Sequence, residues 1–318
     1  ALLSVLIDDV TWEPIPLCPD QTGLVVANIT SDGAETSWDD MSANGATGYE
    51  YAVTTSATPP ASGTATTDTF YVVSGLASNT VHYLHVRTSC SGGQFGNWTS
   101  ISFRTLCAAV AAPTLTENFT TYLPSCWSEA TGALTASSIL NNVDGAWISY
   151  QFAGVSTSNM GTKVNLYGGS TATPDNDWMI SSPIDLGSTP GLYRVKYKSA
   201  LTSYNGTAPQ TNLGTHVVKV VVSTDGGATW SDSNVIKTYS GTYTPTSSET
   251  IDLTAYSGVV KIGFVATSTS LSPDIDFHID DFIVEAIPSC PDVTGLVVSS
   301  ITSVSASTSW DDMSASGA

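Results

Sequence analysis

The chain has 318 residues and a formal net charge of −19, with 9 lysines and arginines against 28 aspartates and glutamates. This acidic balance argues against nucleic acid or an anionic membrane surface as partner, since both require basic patches. A hydrophobic content of 41% is enough for folded cores, so the chain is not a disordered tract. No apolar run reaches the ~18 residues of a membrane span, so no membrane insertion is predicted.

Residues 18–107 alternate between short apolar stretches and turn signals. Strands are predicted where β-branched and aromatic residues are enriched between Gly, Pro, Asn and Asp. The predicted strands are Leu24–Ile29, Ala34–Trp38, Gly48–Thr54, Thr66–Val73, Thr80–Thr88 and Thr99–Thr105. Short strands at this spacing over about 90 residues are typical of a β-sandwich.

Residues 108–115 are a short linker, and residues 116–287 form a second, larger β domain in this prediction. Its clearest strands are Leu192–Ser199 and His216–Ser223. About 170 residues of alternating strands fit a jelly roll. The predicted fold class is therefore all-β, with a sandwich followed by a jelly-roll sandwich.

One segment of the chain occurs twice at a fixed offset. Residues 7–46 and 279–318 are identical at 28 of 40 positions without a gap, an offset of 272 residues. Self-similarity at a fixed period indicates a tandem array. On this interpretation, residues 1–17 are the last strand of a preceding jelly roll, and residues 288–318 start the next sandwich.

Five motifs of residues 18–107 carry a family resemblance. They are Ala34-x-Thr-Ser-Trp38, Tyr49-x-Tyr-x-Val53, Gly75-Leu76-x-x-Asn79-Thr80, Val86-Arg87 and Trp98-Thr-Ser-Ile-Ser-Phe103. Together they resemble a fibronectin type III domain, which implies that Trp38 is a buried core residue. The family places a tyrosine after the Leu76 turn to fix a corner between strands. This chain has His82 at that position, with Tyr83 beside it.

Four motifs carry a second resemblance in residues 116–287. They are Glu117-x-Phe119, Pro124-x-Cys126-Trp127, Asp177-Trp178-x-Ile180-Ser181-x-Pro183 and Ile279-Asp280-Asp281-Phe282. In this order they resemble the jelly rolls of the cleaved-adhesin and MAM type. The resemblance implies a place beside type III domains in large secreted surface proteins of Bacteroidetes-type bacteria.

The repeat also accounts for the five cysteines. Cys290 is the counterpart of Cys18, so one period holds four: Cys18, Cys90, Cys107 and Cys126. An even number in an extracellular type of sequence favours disulfides. Zinc is disfavoured because no Cys-x-x-Cys or clustered Cys/His spacing occurs. Four cysteines can pair in three ways, and the scheme with Cys18–Cys90 and Cys107–Cys126 is favoured.

Five carboxylates are candidate ligands of a structural calcium ion: Glu117, Asp144, Asp177, Asp280 and Asp281. Calcium takes six to eight oxygen ligands. In the jelly rolls that this chain resembles, calcium commonly lies where the first and last strands meet, which corresponds to Glu117 and Asp280–Asp281. Because neighbouring residues of a strand face opposite sides, only one of the last pair is expected to coordinate. The alternative is that all five are solvated loop acids.

The segment Ser223-x-Asp225-x-Gly227-x-x-Trp230 matches the Asp-box pattern that repeats in sialidases. Here the pattern occurs once. Its Asp-Gly-Gly sequence supplies residues that adopt positive φ in a tight turn. We therefore predict a structural hairpin rather than a functional site.

No protease, hydrolase, P-loop or dinucleotide-binding motif is present, and we predict no catalytic residues and no enzymatic activity. The predicted function is that of a repeat unit in a long secreted cell-surface filament or stalk, with a structural and adhesive role. Its predicted partners are neighbouring copies in the same chain, laterally associated chains, glycans or cell surfaces. Two alternatives stay open: an accessory domain of a secreted hydrolase, or a carbohydrate-binding module that uses the aromatic residues Trp147, Tyr167, Tyr204 and Tyr243.

Overall fold

A computed structural model describes residues 18–138, 140–141, 145–155, 158–244, 247–288, 293 and 295–312. The chain divides between Ala108 and Ala109 into two compact units. The fold is all-β, as predicted. In the described part of the chain, no helix has the length and apolar character needed to cross a membrane. The predicted strand within residues 1–17 lies outside the described residues, as do Asp144 and Cys290.

The first unit has eight described strands in two antiparallel sheets. The strands are β1 (Val25–Ala27), β2 (Ala34–Ser37), β3 (Gly48–Thr54), β4 (Thr64–Thr66), β5 (Phe70–Val73), β6 (Val81–Cys90), β7 (Gln94–Phe95) and β8 (Thr99–Arg104). One sheet has the order β1-β2-β5, and the other has the order β4-β3-β6, with β7 and β8 both paired to β6. Short 3₁₀ turns lie at Ser42–Asn44 and Ser91–Gly93.

One predicted strand of this unit is wrong. The stretch Thr66–Val73 is not one strand, because β4 and β5 belong to different sheets. The backbone N–H of Asp68 donates to the Thr66 hydroxyl oxygen at 3.0 Å. Such a local side-chain acceptor competes with the sheet ladder and ends the strand.

The core of the first unit lies between its two sheets. Trp38 is buried there, as the resemblance implied, with Tyr49, Leu84, Val86 and Phe103 around it. Alternation along β6 directs Leu84 and Val86 to the same face. The burial of these side chains explains why the sandwich pattern is visible in the sequence.

His82 fixes the corner for which the resemblance led us to expect a tyrosine. Its side chain is buried, its Nε2 lies 3.2 Å from the carbonyl oxygen of Ala77, and its ring lies 5.7 Å from that of Phe103. Tyr83, the neighbouring residue, is only half buried. The contact from His82 back to the backbone five residues upstream is the kind of bond that a corner tyrosine makes.

Cys18 and Cys90 form a disulfide, with their Cα atoms 5.7 Å apart. This is the pairing that we favoured from the sequence. The bond joins the segment before β1 to the end of β6. Cys107 and Cys126 are disulfide-bonded as well.

The second unit contains fifteen described strands. They are β9 (Val110–Ala111), β10 (Thr116–Glu117), β11 (Ser128–Thr131), β12 (Ile148–Gln151), β13 (Met160–Gly168), β14 (Asp175–Ile180), β15 (Ile184–Asp185), β16 (Tyr193–Ser203), β17 (Asn212–Ser223), β18 (Val235–Thr242), β19 (Ser247–Asp252), β20 (Val259–Ser268), β21 (Ser270–Ala286), β22 (Val297–Ser299) and β23 (Ser307–Ser309). Short 3₁₀ turns lie at Phe152–Gly154 and Asp232–Asn234.

Two large sheets and a separate hairpin make up this unit. A six-stranded sheet has the order β12-β13-β21-β16-β19, with β10 also paired to β21. A seven-stranded sheet has the order β11-β14-β20-β15-β9, with β17 on β20 and β18 on β17. The main core contains inward side chains of both sheets, among them Phe264 of the larger sheet and Phe277 of the smaller. The strands β22 and β23 pair as a two-stranded hairpin.

A β-bulge interrupts β21, the long central strand of the six-stranded sheet. Lys198 of β16 pairs with Asp280, and Lys196 pairs with Ile283, so one residue of β16 opposes two of β21. Asp281 has a φ of +49° at this point. A bulge of this kind shifts the alternation of side chains by one residue. The bulge thus falls at the Asp280–Asp281 pair, where Asp280 is buried and Asp281 is exposed.

Candidate functional site

A buried polar cluster lies on the face of the six-stranded sheet that points away from the main core. Lys163 of β13 is 2% exposed, and Asp276 and His278 of β21 are both 0% exposed. Lys163 pairs in register with His278, which makes Asp276 its diagonal neighbour. The Nζ atom of Lys163 lies 2.5 Å from Oδ2 of Asp276. A buried ion pair of this kind is stable only if its remaining hydrogen-bonding groups are satisfied.

Asn205 completes the ion pair from the loop that follows β16. Its Oδ1 accepts a hydrogen bond from Lys163 Nζ at 2.5 Å, and its backbone N–H donates to Asp276 Oδ2 at 2.7 Å. Asp276 Oδ1 accepts a third bond, from Asn165 Nδ2 at 3.1 Å. Both carboxylate oxygens of Asp276 are therefore hydrogen-bonded. Asn205 as a residue is exposed, although its side-chain oxygen is turned to Lys163.

Aromatic rings flank the lysine. Nζ of Lys163 lies 3.9 Å from the ring centroid of Tyr150 and 5.7 Å from that of Tyr204. Contacts of this geometry stabilise a cation electrostatically. Gly154 approaches the loop of Asn205 so closely that a Cβ atom at Gly154 would lie 2.6 Å from the Gly206 carbonyl oxygen. Glycine at position 154 therefore permits this close packing of the two loops.

His278 is a neutral member of the cluster. Burial lowers the pKa of His278 to about 4, since the effect of burial outweighs the opposing attraction of Asp276, and the charge of Lys163 adds to the lowering. Its Nε2 lies 3.0 Å from the hydroxyl oxygen of Thr202. At neutral pH, Lys163 is therefore not accompanied by a second positive charge.

Sequence reasoning missed this cluster. The available signals were Lys163 in the middle of β13 and the alternating acidic and basic residues Asp276, His278 and Asp280. A charged side chain on a strand is usually solvent-exposed. Here Tyr150, Tyr204 and Asn205 lie against Lys163. The position of the loop that carries Tyr204 and Asn205 is not visible in the strand pattern.

Two of the predicted calcium ligands lie at one cavity. Glu117 of β10 pairs with Phe282, next to Asp281, and both carboxylates line a cavity of about 510 Å³. Each carboxylate already has a partner: Glu117 Oε1 accepts the N–H of Phe119 at 2.8 Å, and Asp281 Oδ2 lies 2.6 Å from Lys198 Nζ.

Asp280 is buried beside them with an unusual carboxyl group. Its Oδ1 accepts the N–H of Asp281 at 2.7 Å, and its Oδ2 has no hydrogen-bond partner among the described residues. Burial raises the pKa of Asp280 to about 6, and the neighbouring negative charge of Asp281 contributes. A carboxyl in this position is costly in its ionised form.

Asp177 does not join this group. It belongs to β14 of the seven-stranded sheet, where it pairs with Thr131 and Ala266. Burial raises the pKa of Asp177 to about 6, with the charges of Asp175 and Glu129 adding to the effect. Within the described ranges, no three or more His, Cys, Asp or Glu side chains are arranged to hold a metal ion. The described residues thus do not assemble the predicted set, and calcium binding at Glu117 and Asp280–Asp281 stays a prediction.

The four aromatic candidates divide into two buried and two exposed residues. Trp147 is 1% exposed and its Nε1 donates to the Asp177 carbonyl oxygen at 3.2 Å; Tyr243 is 5% exposed. Both belong to the core, so the expectation that they are surface platforms is wrong. Tyr167 and Tyr204 are 46% and 52% exposed. They lie on the same outer face of the six-stranded sheet as Lys163.

The Asp-box residues form a structured connection between β17 and β18. Asp225 Oδ1 accepts the Ser223 hydroxyl at 2.7 Å and the Thr229 N–H at 3.0 Å, and its Oδ2 accepts the Thr229 hydroxyl at 2.5 Å. Gly226 and Gly227 have positive φ angles, as this tight turn requires. These hydrogen bonds, led by that of the Thr229 side chain, lower the pKa of Asp225 to about 2.

This loop delivers Trp230 to a second, smaller core. The ring of Trp230 packs 5.2 Å from that of Trp178 on the outer face of the seven-stranded sheet. Both tryptophans are buried. The geometry is that of a structural hairpin.

No family model matches the sequence, and no curated protein is similar to it. Several solved structures give weak matches, among them the following three. A carbohydrate-binding module of the β-sandwich superfamily is 8% identical, with a TM-score of 0.32 over 86% of this chain and 100% of the other. The K1 cleaved adhesin domain of Lys-gingipain from Porphyromonas gingivalis is 14% identical, with a TM-score of 0.36 over 55% and 98%. A SusE-like protein is 12% identical, with a TM-score of 0.24 over 83% and 97%.

We predict that replacing Asp280 by Asn changes the pH dependence of stability. In the folded state Asp280 has a pKa of about 6, against ~3.9 when unfolded. Its contribution to the free energy of unfolding is therefore present below pH ~4 and is lost as the pH rises through ~6. In buffer with EDTA, Asp280→Asn should gain about 2 kcal/mol relative to the wild type between pH ~4 and ~7. Urea unfolding at both pH values measures this difference.

Asp252→Asn, at an exposed position of β19, is the matched control and should stay within about 0.5 kcal/mol of the wild type at both pH values. A wild type and an Asp280→Asn variant whose stabilities run parallel from pH ~4 to ~7 would contradict the assignment. Adding calcium separates the two possible roles. A rise in melting temperature that Asp280→Asn abolishes would make Asp280 a metal ligand.

We also predict that Asp225→Ala destabilises the second unit by about 1–3 kcal/mol, since three hydrogen bonds to a charged acceptor are lost. The pKa of Asp225 is depressed, so its contribution is present above pH ~4 and is lost as the pH falls towards ~2. The difference in free energy of unfolding between Asp225→Ala and the wild type should therefore become smaller over that pH range. Urea unfolding followed by tryptophan fluorescence measures it. The control, Asp252→Ala on an exposed strand position, should stay within about 0.5 kcal/mol; an equal loss in both variants would refute the role of Asp225.

Proposed function

We propose that this chain is one period of a tandem array, in a long secreted filament or stalk with a structural and adhesive role at the cell surface. The observation that carries the proposal is the hairpin of β22 and β23. It repeats the hairpin of β1 and β2 both in sequence and in strand register.

The two hairpins pair identically after the 272-residue offset. Val25 pairs with Ser37 in the first hairpin, and Val297 pairs with Ser309 in the second. All three pairs of each ladder correspond in this way. A slip of one residue would turn every side chain to the other face of the hairpin. Equal register therefore means that equivalent side chains lie on equivalent faces of the two hairpins.

The glycine two residues before each hairpin is also in the same conformation. Gly23 has a φ of +65° and Gly295 a φ of +64°. A Cβ atom at either position would lie 2.2 Å from the carboxylate of the equivalent aspartate, Asp39 or Asp311. Among the described residues, the second hairpin thus reproduces the backbone of the first, including a position that only glycine fits.

The two hairpins differ in how far their apolar side chains are covered by other residues. In the first, β5 pairs with β2 and Trp38 is 5% exposed in the core. In the second, the described residues form a two-stranded sheet, and Trp310 and Val298 are 60% and 54% exposed. An apolar face and an open strand edge of this kind fit the first part of a sandwich that a further period completes.

The other features suit an extracellular array. The Cys18–Cys90 disulfide fits an oxidising compartment. A net charge of −19 keeps neighbouring chains soluble through repulsion. Two compact all-β units per period would give a filament that lengthens by a fixed step with each repeat.

Chains with one, two and three periods test the proposal by electron microscopy. We expect the contour length to rise by an equal increment for each added period, with the one-period chain as the control. Compact particles whose longest dimension does not rise in equal steps would contradict an extended array. Adhesion is tested separately, by the binding of the three-period chain to cell surfaces.

A carbohydrate-binding module is the second candidate, and the exposure of Tyr167 and Tyr204 on one sheet face favours it. Stacking on sugar rings requires exposed aromatic rings of this kind. On a glycan array, Tyr204→Ala should weaken any binding at this face about tenfold. Phe70→Ala, an exposed aromatic of the first unit, is the control. Equal binding by Tyr204→Ala and the wild type would refute a site at this face.

A further inference from the structure

Lys163 places a buried primary amine against two side chains that contain carbonyl groups. Its Nζ lies 2.5 Å from the amide oxygen of Asn205 and 2.5 Å from a carboxylate oxygen of Asp276. In a transamidation, an amine displaces the nitrogen of an amide. The groups that this reaction requires are an amine, a primary amide and a carboxylate in mutual contact. We propose that Lys163 and Asn205 form an intramolecular isopeptide bond, with Asp276 as the group that transfers protons.

The reaction balances without any other reagent. Asp276 accepts a proton from the Lys163 ammonium group, which leaves a neutral amine. Nζ then attacks Cγ of Asn205, and the bond from Cγ to the side-chain nitrogen breaks. Protonation through Asp276 lets that nitrogen leave as ammonia. The proton that Nζ loses as the amide forms passes through Asp276 to the ammonia. The products are the new Nζ–Cγ amide, one ammonium ion and Asp276 again as a carboxylate.

The site holds the reacting groups in position. The Asn205 backbone N–H donates to Asp276 at 2.7 Å, and Asn205 has a φ of +48°, which turns its side chain inward from the loop. Tyr150 covers one side of Nζ at 3.9 Å. Reactants held in contact in this way react as if at very high concentration.

The bond would also change the charge balance of the cluster, because Asp276 would no longer face an ammonium group. Lys163 and Asp276 are an ion pair almost without solvent contact, and the removal of two charges from water is expensive. Converting the ammonium into a neutral amide removes one of those charges. Asp276 keeps its bonds from Asn165 and from the Asn205 backbone, while the exposed side of Asn205 gives ammonia a path to solvent.

A competing reaction has the same mass signature and must be distinguished. Asn205 is followed by Gly206, whose backbone nitrogen could attack the same Cγ and form a succinimide with loss of the same ammonia. In the structure, that N–H donates to the carbonyl oxygen of Ser203 at 2.9 Å. Only the isopeptide bond links two distant segments of the chain.

Mass spectrometry of the purified, reduced chain tests the proposal. The wild type is expected to be lighter than its sequence mass by one ammonia. Its protease digest should contain a branched peptide that joins Lys163 to Asn205. Lys163→Arg should have its full sequence mass, whereas Lys198→Arg, at a lysine paired with exposed Asp281, should still lose ammonia.

Three results would overturn the proposal. They are a wild type at full mass, an ammonia loss that persists in Lys163→Arg and maps to a succinimide at Asn205, and a loss of water with a branch at Asp276. If Lys163→Arg fails to fold, the wild-type digest still distinguishes a branched peptide at Asn205 from a succinimide at Asn205 and from a branch at Asp276. For the role of Asp276, Asp276→Asn that is folded by circular dichroism should remain unlinked; linkage at the wild-type rate would exclude proton transfer by Asp276.

Discussion

The β-bulge at Asp281 is the constraint on which the second unit depends. The strand β21 lies between β13 and β16 and contributes to the core on both sides of the bulge. Phe277 precedes the bulge and Phe282 follows it, and both are fully buried in the same core. In a regular strand, these two residues would face opposite sides. The extra residue shifts the alternation of side chains by one position, so that Phe277 and Phe282 face the same core. Asp276 and Asp280 then lie on the outer face.

That outer face is where the unusual chemistry of the chain lies. A strand that carries Asp276 on its outer face needs a positive partner, which Lys163 of β13 provides, and the loop of Asn205 then excludes water. Under the proposed isopeptide bond, this polar cluster becomes a covalent link between β13 and the loop after β16. A link of that kind would suit a filament that bears tension, since the strands it joins could not separate without breaking a covalent bond.

Much of the fold could be predicted from the sequence, because alternation and turn residues report strands directly. The strand Gly48–Thr54 was predicted with its observed bounds. The candidate sites were harder to predict, since their geometry depends on long-range contacts. Trp147 is a core residue because its ring faces the opposite sheet, and no local pattern fixes that. Asp177 and Asp280 belong to the same group of family motifs, but they lie in different sheets. Lys163 was missed because loops distant in sequence bury it.

Amide hydrogen exchange in β22 and β23 tests the central claim, that the second hairpin is the start of another sandwich. The rates are compared between this chain and one extended after Ala318 by a copy of residues 47–107, the part that follows the hairpin in the first sandwich. We expect the amides of Val297–Ser299 and Ser307–Ser309 to exchange at least roughly tenfold more slowly in the extended chain, at rates that approach those of β1 and β2. Equal exchange rates in the two chains would contradict it.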